Sequence, residues 1–597
     1  MKLPQLTEIA TSRNIVDEFR GYNHNLRIGD SEFYDMKNLT SAYYPVLAPR
    51  SKRGVYEYPE GSGDRHTPNG LISKDALCYV DGTKLFINNK EIVGLELSDS
   101  PKQFISMGAY IIIMPDKKYI NTKDFTDMGN IETVFPATEG KTLSVSYEMC
   151  KIDGTAYEGV VKQSTAPENP TNMQYWIDTS STPHTLKQYS ETSKVWNQIA
   201  TCYIKISAPN IASNFKQYDA VKISGLPIDQ VPQLKDLEGV ISVLWDAYHD
   251  EENPTKDYIV VIGFLDEVVT YESQLRLEQR MPAMDFIIES NNRLWGCRYG
   301  ESANGDVVNE IYASKLGDFK NWNCFMGVST DSYAVSVGTD GQFTGAINHL
   351  GYPLFFKENY VHKVYGNYPA NFQIQTTACR GVQKDCSKSL AIVNEVLYYK
   401  SRGGICAYDG SLPTEISSAL GEISYSNAVG CGHYNKYYVS MKDAEGIYNL
   451  FVYDARKGMW HKEDEIKVDD FCSCDGELYA IVNGQIKTLL GSGKKDTEAV
   501  KWMAETGTIG MYTPDKKYIS RLNIRMSLDI GSKIYFYIQY DSCGAWEQLC
   551  AMTGTSLRSF SIPIRPHRCD HFRIKVEGEG DARIFSIVKT LEQGSDI

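Results

Sequence analysis

The sequence contains no run of about 18 apolar residues. Its most apolar short stretch, AYIIIMP at 109–115, is strand-sized, so no membrane-crossing helix and no stable membrane insertion are expected. The opening MKLPQLTEIATSRNIVDEF lacks an apolar core long enough for a secretory signal, and the expectation is a chain made and assembled inside a cell. Cysteine is thin, 14 in 597 residues, scattered and without C-x-x-C spacing, which excludes a disulfide scaffold and leaves free, reduced thiols. One segment, His567-Arg568-Cys569-Asp570-His571, has metal-ligand chemistry. Along a strand, side chains on one face stand about 7 Å apart, too spread for one ion, so no metal is expected.

Positive charge is also short. With 61 Lys+Arg against 75 Asp+Glu the formal charge is −14, which argues against a protein that grips nucleic acid. It is compatible with a wall past which nucleic acid slides without sticking. G-x-S-x-G, H-E-x-x-H, the P-loop and G-x-G-x-x-G are all missing, so no cofactor and no enzymatic activity are expected. The sialidase-type repeat S-x-D-x-G-x-x-W is approached once, at YDSCGAWE (540–547), with the wrong spacing.

What is abundant is tyrosine, 40 residues against 8 Trp, a composition that favours strands and large contact surfaces. Hairpin signatures recur through residues 76 to 488. YVDGTKLFINNKEI (79–92), DFIIESNNRLWGCRY (285–299), VLYYKSRGGICAYDG (396–410), HYNKYYVSM (433–441) and the YD…DG run of 451–489 each place positive-φ-tolerant residues between β-prone pieces. Regularly spaced antiparallel hairpins indicate a β-propeller, with a generic β-sandwich or several small β domains as the alternative. The carboxylates at hairpin ends, Asp81, Asp409, Asp454 and Asp475, are ordinary turn formers and identify no site.

The fold class is therefore mainly β: a β-propeller with an inserted small β-rich region and a C-terminal β-sandwich. The expected division is an N-terminal arm (1–25), a first part of the propeller (26–136), inserted β-rich modules (137–283), the remainder of the propeller (284–490), a linker (491–500) and the β-sandwich (501–597). The sandwich is indicated by clean alternation at Ile519, Leu522, Ile524, then Ile534, Phe536, Ile538, and Phe572, Ile574, Val576. In the loop at 33–56 the basic tip Arg50, Lys52 and Arg53 reads as a solvated turn or as a contact with an acidic neighbour, which would make it a partner contact. In the insertion, Trp176, Tyr189 and Trp196, with Leu186, form one aromatic cluster, either the core of a small module or an exposed sugar platform.

Three stretches carry a family resemblance. DMKNLTSAYYPVLAPRSKRG (35–54) is similar to the N-terminal segment of nozzle proteins in short-tailed bacteriophages, departing from it where Ser51 follows Arg50 in place of proline. NPTNMQYWIDTSSTPHTLKQYSETSKVW (169–196) resembles modules of phage virion proteins, and KKYISRLNIRM with IPIRPHRCDHFRIKVEGEGD (516–526, 562–581) resembles the C-terminal domain of phage tail structural or stabilisation proteins. The resemblance implies a structural virion protein of a phage tail, assembled in the bacterial host cytoplasm. It would be a nozzle subunit of a homo-oligomeric, hexameric ring below the portal and adaptor, contacting other tail proteins and lining or closing the channel for DNA ejection. Double-stranded DNA would pass without sequence recognition. A second expectation, from a different class, is a carbohydrate-binding or glycan-cleaving β-propeller at the virion surface.

Overall fold

The computed structural model describes residues 10–59, 66–302 and 305–593. Among the described residues, six small antiparallel sheets and a four-stranded end of the twelve-stranded sheet follow one another around a closed circuit, a β-propeller of seven blades. The innermost strands of blades I to VII are Pro68–Lys74, Gln103–Met107, Phe286–Ser290, Phe343–His349, Ala391–Val393, Ser426–His433 and Asp470–Cys474. The hairpin signatures act where they were read. Asn88-Asn89, Asn291-Asn292 and Asp475-Gly476 all take positive φ, the conformation a two-residue hairpin turn requires. Tertiary contact then decides which hairpins neighbour each other.

The core lies between blades. Val80, Leu85, Ile111 and Ile113 join blades I and II; Ile112, Ile287, Leu294 and Trp322 join II and III; Trp295, Phe343, Phe355 and Val364 join III and IV. Leu450, Val452, Leu478 and Ala480 fill the gap between VI and VII, and Tyr79, Phe86, Cys472 and Ile486 close VII onto I. Closure also uses strand exchange, because Gly54–Val55, from before blade I, forms the fourth strand of blade VII beside Gln485–Thr488. That short strand fixes the register between the two ends of the circuit.

The insertion leaves after blade II and returns before blade III through Thr133–Phe135 paired with Arg276–Gln279. Its core is its own, with Val145, Tyr147, Ile204, Ile206, Val221, Ile259 and Leu277 all buried. At the C-terminus the 24-residue strand Lys517–Tyr540 pairs along one edge with Glu547–Ile562 and along the other with two strands in turn. Its first half pairs with Ala582–Gln593 and its second half with Phe572–Glu579. The fold class read from the sequence agrees with this architecture.

Boundaries differ in three places. The described part of the expected arm is not free, since Thr11–Val16 pairs with Ala582–Gln593 as the edge of the sandwich; residues 1–9 lie outside the described residues. Within the segment assigned to the first part of the propeller, Glu32–Lys37 pairs with Lys501–Thr506, and Gly21–Tyr22 bridges it to blade VI. The expected linker also carries a strand, Lys494–Lys495, against Gly54–Val55. The cause is the same each time: an edge strand leaves backbone N–H and C=O groups unpaired, and a polar, aperiodic segment supplies their partners. One hydrophobic core thus runs from blades IV–VI into the sandwich through Phe33, Met36 and Trp460.

Candidate functional site at the propeller mouth

Each blade's inner strand starts on the same face, where the inter-blade loops also lie. On that face blades I, V, VI and VII surround a cleft of about 510 Å³. Asn69 and Asn427 are the second residues of their inner strands, Asp470 is the first residue of its own, and Tyr448 opens the third strand of blade VI. Lys388 sits in a single 3₁₀ turn before blade V, with Asp385 just upstream; Lys467 and Asp469 come from the loop between blades VI and VII. Asp385 (φ 61) and Asn427 (φ 47) are left-handed, a conformation that Asp and Asn tolerate better than most residues.

The polar groups are interlocked. Asp470 Oδ2 accepts from the N–H of Leu71 at 3.1 Å and Oδ1 from the N–H of Phe471 at 3.1 Å, with Lys388 Nζ at 3.7 Å. Burial pushes the Asp470 carboxyl above the usual range, while Lys388 and the two backbone N–H groups pull the other way. Lys388 Nζ donates to the Asp469 carbonyl at 2.9 Å, and Lys467 Nζ pairs with Asp469 Oδ1 at 2.7 Å. Asn69 Nδ2 donates to the Gly82 carbonyl and to Asp99, each at 3.0 Å. Its Oδ1 is buried with no hydrogen-bond partner among the described residues, an acceptor turned away from bulk water with nothing to satisfy it.

The basic tip lies elsewhere and is already engaged. Arg53 forks onto Asp464 (2.6 Å) and Glu463 (2.8 Å), and Arg50 reaches Asn38 (2.8 Å) and Asp464 (3.4 Å). Lys52 donates to the carbonyls of Asp496 and Thr497 at 3.4 and 3.2 Å. The acidic neighbour is thus the blade VI–VII loop of the same chain. Arg50 and Arg53 are mostly buried and serve as a clamp, so the acidic neighbour is within the chain, which corrects the readings of a solvated turn and of a contact with another protein.

The aromatic cluster of the insertion is assembled but not open at its centre. Trp176 is buried, donates from Nε1 to the Gln163 carbonyl at 2.9 Å, and is roofed by Lys187 Nζ, 4.9 Å from its ring. Trp196 meets Trp176 edge-on and Tyr189 obliquely, both at 5.3 Å. Lys187 also pairs with Asp178 at 2.7 Å; that contact, with the Ser180 hydroxyl and N–H, lowers the Asp178 carboxyl to about 2. A platform that included Trp176 would require Lys187 to leave, so only the half-buried Tyr189 and Trp196 face outward.

The hairpin carboxylates make local bonds. Asp81 holds His66 at 2.6 Å, Asp409 caps Ser411, and Asp454 accepts from Ser41 at 2.6 Å. The ring of His567 packs on Tyr540 at 4.8 Å, Cys569 is buried, and His571 turns to Asp570, so the three side chains of that segment have separate partners. Asn69, Tyr448 and Asp470 were missed in the sequence because nothing marks which strand of a blade is innermost. The Asp469-Asp470 pair at a strand start was the one available signal.

No protein-family model and no curated protein sequence matches the chain. Among solved structures it is similar to an exo-β-1,3-galactanase from Phanerochaete chrysosporium, at 8% identity over 51% of this chain and 95% of that one, TM-score 0.19. It is similar also to an acylaminoacyl peptidase from Pyrococcus horikoshii, at 13% identity over 54% and 55%, TM-score 0.23. A third is a glycoside hydrolase family 43 arabinoxylan arabinofuranohydrolase from Bacillus subtilis, at 8% identity over 52% and 95%, TM-score 0.17. The expectation of a ring-forming tail nozzle that lines a DNA channel finds no support in these comparisons and is not carried further.

Proposed function

We propose that this chain is a carbohydrate-recognising β-propeller protein that binds a glycan at the mouth described above. The observation that carries the reading is the cleft itself, about 510 Å³ at the propeller mouth, lined by Asn69, Asn427, Asp469, Asp470 and the aromatic Tyr448. Amide and carboxylate groups of the lining can bond sugar hydroxyls, and an aromatic side chain suits the apolar face of a pyranose. The charges point the same way. Asp385, Asp469 and Asp470 are offset in part by Lys388 and Lys467, so the lining carries both donors and acceptors, as a neutral polyhydroxylated ligand needs.

The test is a glycan array with the whole chain, followed by titration calorimetry on the retained sugars. Asn69→Leu and Tyr448→Ala should each weaken binding about tenfold, the loss of one good contact. Retention of no glycan, or affinities unchanged in both variants, would overturn the reading.

A further inference from the structure

Two stretches noted in the sequence for other reasons meet at one edge of the sandwich. The turn Tyr540-Asp541-Ser542-Cys543 carries a serine, and the Cys569-Asp570-His571 segment carries an imidazole. Ser542 Oγ lies 2.7 Å from His571 Nε2, and His571 Nδ1 lies 2.9 Å from Asp570 Oδ2. Hydroxyl, imidazole and carboxylate are thus in line, each within hydrogen-bond reach of the next, which is the arrangement that activates a serine nucleophile.

The two segments are clamped together. Asp541 Oδ1 accepts from the N–H of Asp570 at 2.7 Å and from that of His571 at 3.2 Å, and the Asp541 N–H donates to the His571 carbonyl at 3.0 Å. Three hydrogen bonds therefore fix the backbone of the base to the turn that carries the hydroxyl. Behind them, Cys569 and Lys517 exchange backbone hydrogen bonds at 2.9 Å, tying the imidazole segment to the long strand.

The turn itself is conformationally special. Asp541 (φ 47), Ser542 (φ 50) and Gly544 (φ 78) are all left-handed, and the Cys543 N–H closes the turn onto the Tyr540 carbonyl at 3.1 Å. The N–H groups of Ser542 and Gly544 have no acceptor among the described residues. Open space adjoins Gly544, so a small molecule can approach.

We propose that Ser542, His571 and Asp570 form a site that hydrolyses small carboxylic esters, with the free N–H groups of Ser542 and Gly544 as donors to the oxyanion. Ser542 Oγ attacks the carbonyl carbon while its proton passes to His571 Nε2. The C–O bond to the leaving alcohol breaks, and the alkoxide takes that proton from His571. Water, deprotonated by His571, then attacks the acyl-serine, releasing the carboxylic acid and restoring the hydroxyl. Ester and water become acid and alcohol, with no other reactant. Ser542 and His571 are the catalytic residues. Asp570 is a positioning residue that fixes the tautomer and orientation of the ring.

The experiment treats the whole chain with a fluorophosphonate label and, separately, with p-nitrophenyl acetate. One label per chain is expected, mapped to Ser542, with p-nitrophenol release. Ser542→Ala and His571→Gln should each abolish labelling and cut the rate at least ~100-fold, the usual worth of a positioned base, at unchanged Tm. Asp570→Asn should lower kcat with KM kept. Cys543→Ser should keep both readouts, which separates the serine from the exposed neighbouring thiol. Wild-type chain that stays unlabelled at Ser542, or Ser542→Ala and His571→Gln variants that hydrolyse at the wild-type rate, would overturn the proposal.

Discussion

The carboxylate of Asp470, at the start of the last blade, accepts a hydrogen bond from the backbone N–H of Leu71 in the first blade at 3.1 Å. Residues 399 positions apart are joined by this bond, and the circuit of blades is closed by it together with the short strand Gly54–Val55. Asp470→Ala leaves the Leu71 N–H without its acceptor and Lys388 with the Asp469 carbonyl but no carboxylate of Asp470 nearby. The expected cost is about 1–3 kcal/mol, the penalty for an unmet buried donor, read as a lower urea midpoint. A midpoint equal to wild type would show that the strand exchange closes the ring unaided.

Two buried imidazoles set an acid limit on stability. Burial, with Lys357 nearby, pulls His362 from 6.5 to about 4; burial, with Lys436 nearby, pulls His461 from 6.5 to about 3. The unfolded chain takes up these protons below about pH 6.5, whereas the native state refuses them until much lower pH. Their contribution is thus full above about pH 6.5 and is lost as the pH falls through about 4 and then about 3. For His362, held between the hydroxyls of Thr339 and Thr376, the amount is on the order of 3 kcal/mol. His362→Gln should flatten the decline of Tm between about pH 6.5 and 4, and an unchanged slope would count against it.

Arg53 neutralises Glu463 and Asp464 in a mostly buried cluster. Arg53→Ala strands two carboxylates that Arg50 alone reaches at 3.4 to 3.6 Å, and the expected loss is on the order of 3 kcal/mol. Thermal unfolding reads it directly. A loss below about 0.5 kcal/mol, typical of solvated pairs, would return the basic tip to the surface.

Gly578 faces the indole of Trp502, and a Cβ there would stand 2.2 Å from the ring. Trp502 is buried and its Nε1 donates to the Gly580 carbonyl at 3.0 Å, so the ring has no easy retreat. Gly578→Ala should cost about 1–3 kcal/mol by overpacking, and a Trp502→Leu background should recover part of it. Equal urea midpoints for wild type and Gly578→Ala would refute the close contact.

The fold class was readable because hairpins are local. Asn291-Asn292 and Asp475-Gly476 specify turns through their own φ preferences, and the alternation at Ile534, Phe536 and Ile538 specifies a strand with one buried face. The site was not readable in the same way. Asn69 looks like any turn asparagine until the strand that follows proves to be innermost. Arg50 and Arg53 look like a free basic tip until the loop at Glu463-Asp464 arrives beside them. Trp176 was correctly grouped with Tyr189 and Trp196, but its roof, Lys187, is the kind of residue a sequence reading leaves in solvent.

By itself, then, the sequence determined hairpins, strand faces, a mainly β architecture and the lack of a long apolar span, all consequences of backbone preference and side-chain period within a few residues. Only the tertiary structure decided the number of blades, the fusion of the sandwich with blade VI and the meeting of Ser542 with His571. Those depend on which unpaired edges and apolar faces find each other across hundreds of residues. The free energy of such contacts belongs to pairs of distant segments, and no segment carries it alone.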